Sequence, residues 1–112
     1  MKKINIVKEK RDFDIAFKSK NQYKSRFTYI YINDNDLNKY RFGICVSKKI
    51  GNAVTRNKFK RRIKDIIDKS KLQFNDKDYI IVLKKSANAA EYLDLKEDLI
   101  KSFTEILGIG EN

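Results

Sequence analysis

The 112-residue sequence has no histidine, no proline, no tryptophan and only one cysteine. Without histidine there is no imidazole general acid or base, no Ser/His or Cys/His nucleophile pair, and no histidine metal ligand. The lone thiol, Cys45, can close no disulfide within the chain and cannot build a zinc cluster. Set in the apolar run "FGICV", it is expected to be a buried small hydrophobe. The four glycines, Gly43, Gly51, Gly108 and Gly110, form no phosphate-cradling loop, and no Walker pattern or evident carboxylate cluster occurs. No catalytic residue and no metal-ligating set is therefore expected. If the protein takes part in an enzymatic reaction, another molecule supplies the chemistry. No stretch approaches the roughly 20 apolar residues of a membrane span. The start "MKKINIVKEKRDF" lacks the apolar centre of a signal peptide, so a cytoplasmic protein with no membrane partner is expected. With no proline-rich or low-complexity linker, residues 1–112 are expected to form one domain.

Positive charge is abundant. Twenty-six Lys and Arg stand against fifteen Asp and Glu, a net charge of +11 that favours a polyanionic partner. The excess is concentrated in "SKKIGNAVTRNKFKRRIKD", Ser47 to Asp65, which carries eight cations before its first acid.

Patterning along the chain gives an order of elements. In "EKRDFDIAFKSK", Phe13, Ala16 and Phe17 recur at helical spacing with acids early and lysines late, which suits a short amphipathic helix. "RFTYIYIN" alternates Phe27, Tyr29 and Tyr31 against Thr28, Ile30 and Ile32; the turn-rich "NDNDLN" and then "KYRFGICVSK" follow. Two antiparallel strands joined as a hairpin are predicted. A helix from about Asn52 to Lys69 comes next, with Asn52 as its N-cap and Phe59, Ile63, Ile66 and Ile67 as its core stripe. "DYIIVLKK" reads as a buried strand reached by a crossover within one sheet. The last helix is expected in "LDLKEDLIKSFTEILGIG", with Asp94 and Glu97 spaced as a capping box, Leu95, Leu99, Phe103 and Ile106 as its stripe, and Gly108 as its stop.

A basic helix is often a solvated surface balanced by glutamates four residues away. Between Ser47 and Lys64 those partners are missing. Mutual repulsion of uncompensated cations costs stability, so phosphate binding is the better explanation. A DNA-recognition helix would sit among helices rather than between strands. A membrane-surface helix would favour Trp or Leu on its apolar face, where this one has Ile and Phe.

"SKKIGNAV" followed by "TRNKFKRRIKD" resembles the signature of the bacterial ribonuclease P protein subunit. "DFDIAF" is similar to the first-helix aromatic pair of that family and "DYIIVLKK" to its last strand. The resemblance implies an α/β sandwich of order αβββαβα with a left-handed βαβ crossover through the basic helix. It implies a protein that binds the catalytic RNA of ribonuclease P and the 5′ leader of precursor tRNA, with magnesium at the RNA performing the endonucleolytic cleavage. Lys48, Lys49, Asn52, Arg56, Asn57, Lys58, Lys60, Arg61, Arg62 and Lys64 match or flank the family's motif and are implied to contact the catalytic RNA. Arg56, near the apolar edge of the helix, is expected to be partly packed. Lys58 and Lys64 stand where arginine is common, which keeps the charge but loses the bidentate fork. Phe13, Phe17 and one of Tyr29 or Tyr31 match the aromatic positions of a leader-binding cleft between the first helix and the sheet. Helical spacing alone would bury both phenylalanines. Two other classes remain at this point: a ribosomal-type structural RNA-binding protein, and a stand-alone nuclease, against which the missing histidine counts.

Overall fold

The most apolar strand lies at the centre of the sheet. The computed structural model describes residues 1–108. Its elements are α1 (Lys10–Phe17), β1 (Gln22–Lys24), β2 (Thr28–Asp34), β3 (Arg41–Cys45), α2 (Ala53–Ser70), β4 (Lys77–Leu83) and α3 (Tyr92–Ile106). Single 3-10 turns occur at Lys3–Asn5 and Lys85–Ala89. The four strands lie in the order β1-β2-β4-β3. β4 runs antiparallel to β2 and parallel to β3, so β3–α2–β4 is the expected crossover unit.

The predicted hairpin between β2 and β3 does not form. β4 is inserted between them, and the hairpin partner of β2 is the three-residue β1, too short to show a periodicity. The reason lies in β4. Asp78 through Ile81 are all buried, so both faces and both edges of this strand need partners. Crossing from β2 to β3 around it spans about 10 Å. Residues 35–40 cover that easily, with Asp36 and Asn38 in the left-handed conformation that Asp and Asn tolerate.

One face of the sheet is sealed by α2 and α3. Ile30, Ile32, Phe42, Tyr79 and Ile81 meet Phe59, Ile63 and Ile66 of α2 and Leu95, Leu99 and Phe103 of α3 in one core. Within it Phe42, Phe74, Tyr79 and Phe103 pack with ring centroids 4.8 to 5.9 Å apart, mostly edge-to-face, the favoured quadrupole arrangement. Further ties join α3 to its surroundings. Tyr92 donates its hydroxyl to Asp65 of α2 at 2.6 Å. Tyr23 donates to Glu105, which pushes the phenol up to about 12. Asp98 accepts from Ser25 Oγ at 2.7 Å and from the amides of Arg26 and Phe27 at 3.3 and 3.1 Å, so a carboxylate on α3 holds the β1–β2 turn.

The helix ends show where local pattern suffices. Asn52 caps α2 as predicted, its Oδ1 accepting from the Thr55 amide at 3.0 Å. The capping box of α3 is displaced by one motif length. Glu91 is the N-cap and Asp94 is the third helical residue, accepting from the Glu91 amide at 3.2 Å. Glu97 lies inside the helix. Gly108, at φ +69°, takes the left-handed turn that ends α3.

The other face has α1 as its helical cover. Val7, Ala16 and Ile80 form a small second core there, with Phe13, Tyr31, Cys45 and Val82 packed partly against it.

Candidate nucleic-acid interface

The turn leading into α2 is pinned from inside. Ile50 is buried in the main core and its amide donates to the Ser47 carbonyl at 3.0 Å, which leaves Lys48 and Lys49 exposed on the outside of the turn. With Phe59, Ile63, Ile66 and Ile67 buried, α2 turns its remaining faces outward. Asn57, Lys58 and Arg61 are exposed; Arg56, Lys60, Arg62 and Lys64 are half-buried. Asn52 is also exposed, although its side-chain oxygen is occupied by the cap.

None of the eight cations from Lys48 to Lys64 lies within ion-pair distance of a carboxylate among the described residues. The two acids of α2 are engaged elsewhere. Asp65 receives Tyr92 and Lys69, and Asp68 receives the Met1 amine. The hydrogen bond from Tyr92 is the main reason the Asp65 carboxyl is held below the usual carboxylate range. No acid occupies the first turn of α2, so the positive end of the helix dipole is unopposed. Arg56 carries this furthest. Its Nε is sealed from solvent with no hydrogen-bond partner among the described residues, while the side chain as a whole stays half-exposed. Arg62 lays its guanidinium 5.8 Å from the Phe59 ring centroid.

A second surface follows from strand register. Side chains alternate across a sheet, so the face under α1 carries three rows of aligned residues. Asn33, Asp78 and Arg41 make one row; Gln22, Tyr31, Ile80 and Gly43 make the next; Lys24, Tyr29, Val82 and Cys45 make the third. α1 sits over the first two. Phe13 lies against Gly43, where a Cβ would come within 2.6 Å of the ring, so glycine is what lets the helix approach so closely. Ala16 is fully buried below the helix. The third row is left open, with Tyr29, Val82 and Cys45 all half-buried along about 10 Å of sheet.

Phe17 forms one wall of this cleft. It is 41% exposed although helical periodicity would bury it, and its ring meets Tyr31 edge-on at 5.2 Å. Phe13, 6.5 Å behind it, is half-buried. Tyr29 and Tyr31 are two residues apart on one strand and therefore both face the cleft side. Tyr31 contacts Phe17, whereas Tyr29 lies under two ammonium groups, Lys84 at 4.5 Å and Lys24 at 5.8 Å. These two lysines and Val82 escaped sequence reasoning; recognising β1 as the partner of β2 would have placed Lys24 beside Tyr29. Cys45 is half-buried rather than core. It belongs to the cleft floor, where burial pushes its thiol up and the nearby Lys60 charge opposes that shift. Among the described residues, no three His, Cys, Asp or Glu side chains converge to hold a metal.

A helix whose cations from Arg56 to Lys64 lack carboxylate partners among the described residues, on a sheet fold with a half-open aromatic row, has the make-up of a protein that binds a phosphate-rich polymer. Relatives specify which one. The sequence pattern of the family Ribonuclease P matches residues 1–107. The ribonuclease P protein component of Streptococcus pneumoniae is 38% identical over 101 residues, which cover 89% of this chain and 82% of that protein. The RNase P protein of Staphylococcus aureus superimposes with a TM-score of 0.84 at 30% identity, covering 91% of this chain and 94% of the other. That of Thermotoga maritima shares the fold at a TM-score of 0.78 and 23% identity, covering 95% and 97%. The chain belongs to the ribonuclease P protein family. Its function is that of a subunit of the tRNA-processing endoribonuclease.

Proposed function

We propose that α2 and the turn before it dock on the catalytic RNA, while the cleft under α1 takes the single-stranded 5′ leader of precursor tRNA. The carrying observation is that, among the described residues, the eight cations from Lys48 to Lys64 have no carboxylate partner. Such a surface releases counterions when it meets phosphates, and that release drives association. In this reading Lys48, Lys49, Arg56, Asn57, Lys58, Lys60, Arg61, Arg62 and Lys64 contact RNA, and Asn52 holds the helix start that presents them.

The cleft suits a different kind of strand. Stacking on Phe17, Tyr29 and Tyr31 tolerates any base, and Lys24 and Lys84 lie beside Tyr29 where a backbone would pass. A paired duplex offers no free base faces to such a row. The hydrolytic magnesium is assigned to the RNA, in the bacterial cytoplasm where precursor tRNA is made. The protein supplies binding and charge neutralisation. Residues 1–112 act as one RNA-binding domain.

Reconstitution tests this. Purified protein alone should leave precursor tRNA intact, and its addition to the catalytic RNA should restore cleavage at magnesium concentrations where RNA alone is slow. Cleavage by rigorously RNA-free protein would overturn the division of labour.

A further inference from the structure

Because α1 is the helical cover on the open face, whatever sets the seat of α1 sets the width of the cleft beside Tyr29. The start of that helix is held by charged groups buried under it. Arg41 on β3 donates Nε and Nη2 to the two oxygens of Asp78 on β4 at 2.8 and 2.6 Å. Asn35 adds a hydrogen bond to Asp78 at 2.9 Å. The Arg41 and Asp78 side chains are 15% and 6% exposed. The remaining guanidinium nitrogen, Nη1, reaches Asp12 of α1 at 3.4 Å. Among the described residues this is the one ion pair between α1 and the sheet.

A buried ion pair is weak evidence of stabilisation, since an apolar pair of the same shape often does as well. Its geometry is more informative. The fork of Arg41 is locked bidentately on Asp78, so its third nitrogen points in a direction set by the sheet and not by α1. Five residues after Asp12, the same helix carries Phe17 over the cleft. The far end is tied independently, with Ser19 Oγ donating to the Ile32 carbonyl at 2.8 Å.

We infer that Arg41 is a positioning residue for leader binding: it uses Asp78 as a fixed base to hold Asp12, and so sets how α1 carries Phe17 over the open row. This rests on the assignment of the cleft to the leader. It also predicts an effect opposite in sign to simple electrostatics. Removing an acid from a protein that binds RNA should tighten binding, whereas removing Asp12 should loosen it for leader-bearing substrate.

The test compares Asp12→Ala, Asp12→Glu, Asp14→Ala and Phe17→Ala in the complex reconstituted with catalytic RNA. Binding is measured to precursor tRNA with a leader of several nucleotides and to mature tRNA. Asp14 is exposed on the same helix and is not paired with Arg41, so its loss matches the charge change alone. Asp12→Ala leaves the Arg41–Asp78 pair in place, and its melting temperature and catalytic-RNA affinity should stay near wild type. Expected are a loss of about threefold to fivefold for leader-bearing tRNA only, as a partly exposed ion pair allows, and faster hydrogen exchange of the α1 amides. Asp12→Glu should restore binding, and Asp14→Ala should leave it unchanged or tighter. Wild-type or tighter binding by Asp12→Ala, or equal losses in Asp12→Ala and Asp14→Ala, would overturn the positioning role. If Phe17→Ala still lost leader affinity, the cleft assignment would survive that result. Wild-type leader affinity in Phe17→Ala would remove the cleft assignment, and this inference with it.

Discussion

The two faces of the sheet are built from alternate residues of the same strands, yet they have different fates. On the α2/α3 side Ile30, Tyr79, Ile81 and Ile63 have no exposure at all. On the α1 side Tyr29, Tyr31, Val82 and Cys45 stay half-buried. The difference lies in the cover. Two long helices seal one face, whereas α1, eight residues long, leaves a full row of the other face uncovered. Aromatic side chains on an incompletely covered sheet keep their planes available to a ligand, and nearby lysines make that ligand anionic. In the proposed reading, the sealed face supplies stability and the open one recognises the leader.

The largest effect that would break this comparison is a paired deletion, one on each face. Ile63→Ala on the sealed side should cost about 2 to 5 kcal/mol of folding free energy, with a large drop in melting temperature. Phe17→Ala on the open side should stay folded with a modest loss of melting temperature and bind the catalytic RNA nearly normally. It should lose about 1 to 3 kcal/mol of affinity for leader-bearing precursor tRNA, the usual worth of a stacked base. Calorimetric melting and binding on the same preparations separate the two. If Phe17→Ala were as destabilised as Ile63→Ala, Phe17 would be a core residue after all.

A smaller effect sharpens the contrast between the cleft and the basic helix. Arg56→Ala and Arg61→Ala should each weaken binding to the catalytic RNA and flatten the logarithmic salt dependence by about 0.7 to 0.9 or less, one phosphate contact apiece. Leader discrimination should not change. Affinity titrations across salt check this, and unaltered slopes in both variants would move the docking face away from α2.

The smallest effect concerns the bond that holds the two sealing helices together. Tyr92 keeps the Asp65 carboxyl below its ordinary range, so this contribution is present above the unfolded carboxylate value of about 3.9 and is lost as pH falls through the lowered folded value. The same bond raises the Tyr92 phenol, so on the alkaline side the contribution is whole below about 10 and is lost as pH rises through the raised folded value. Neutral-pH function sits between these limits. Carboxyl NMR titration should find Asp65 moved up in Tyr92→Phe, and identical titration in both proteins would mean the α2–α3 bond is absent in solution.

Elements governed by near neighbours are legible in the amino-acid order alone. The N-cap at Asn52, the stripe from Phe59 to Ile67, the buried β4 and the stop at Gly108 all depend on residues within a turn or two of one another. The basic surface is legible for a related reason, because its cations lie close together in the sequence and the helix itself supplies no acid before Asp65. The capping box of α3 is misplaced by three residues because Glu91–Asp94 and Asp94–Glu97 share one spacing. Only the docking of the helix start selects between them.

Strand order and exposure were decided by tertiary structure. Whether β2 pairs with β3 or accepts β4 depends on what β4 must bury on both faces, and residues 28–45 cannot express that. Phe13 and Phe17 have the same helical phase and differ only in what lies beneath them: Gly43 seats the first, and the edge of a short helix leaves the second over open sheet. The sequence by itself determined the helices, most of the strands, the sealed core and the cationic helix, since local periodicity and charge density are properties of neighbouring residues. The open row beneath α1 exists only once register aligns Lys24, Tyr29, Val82 and Cys45 from four separate strands, and no one-dimensional pattern records that alignment.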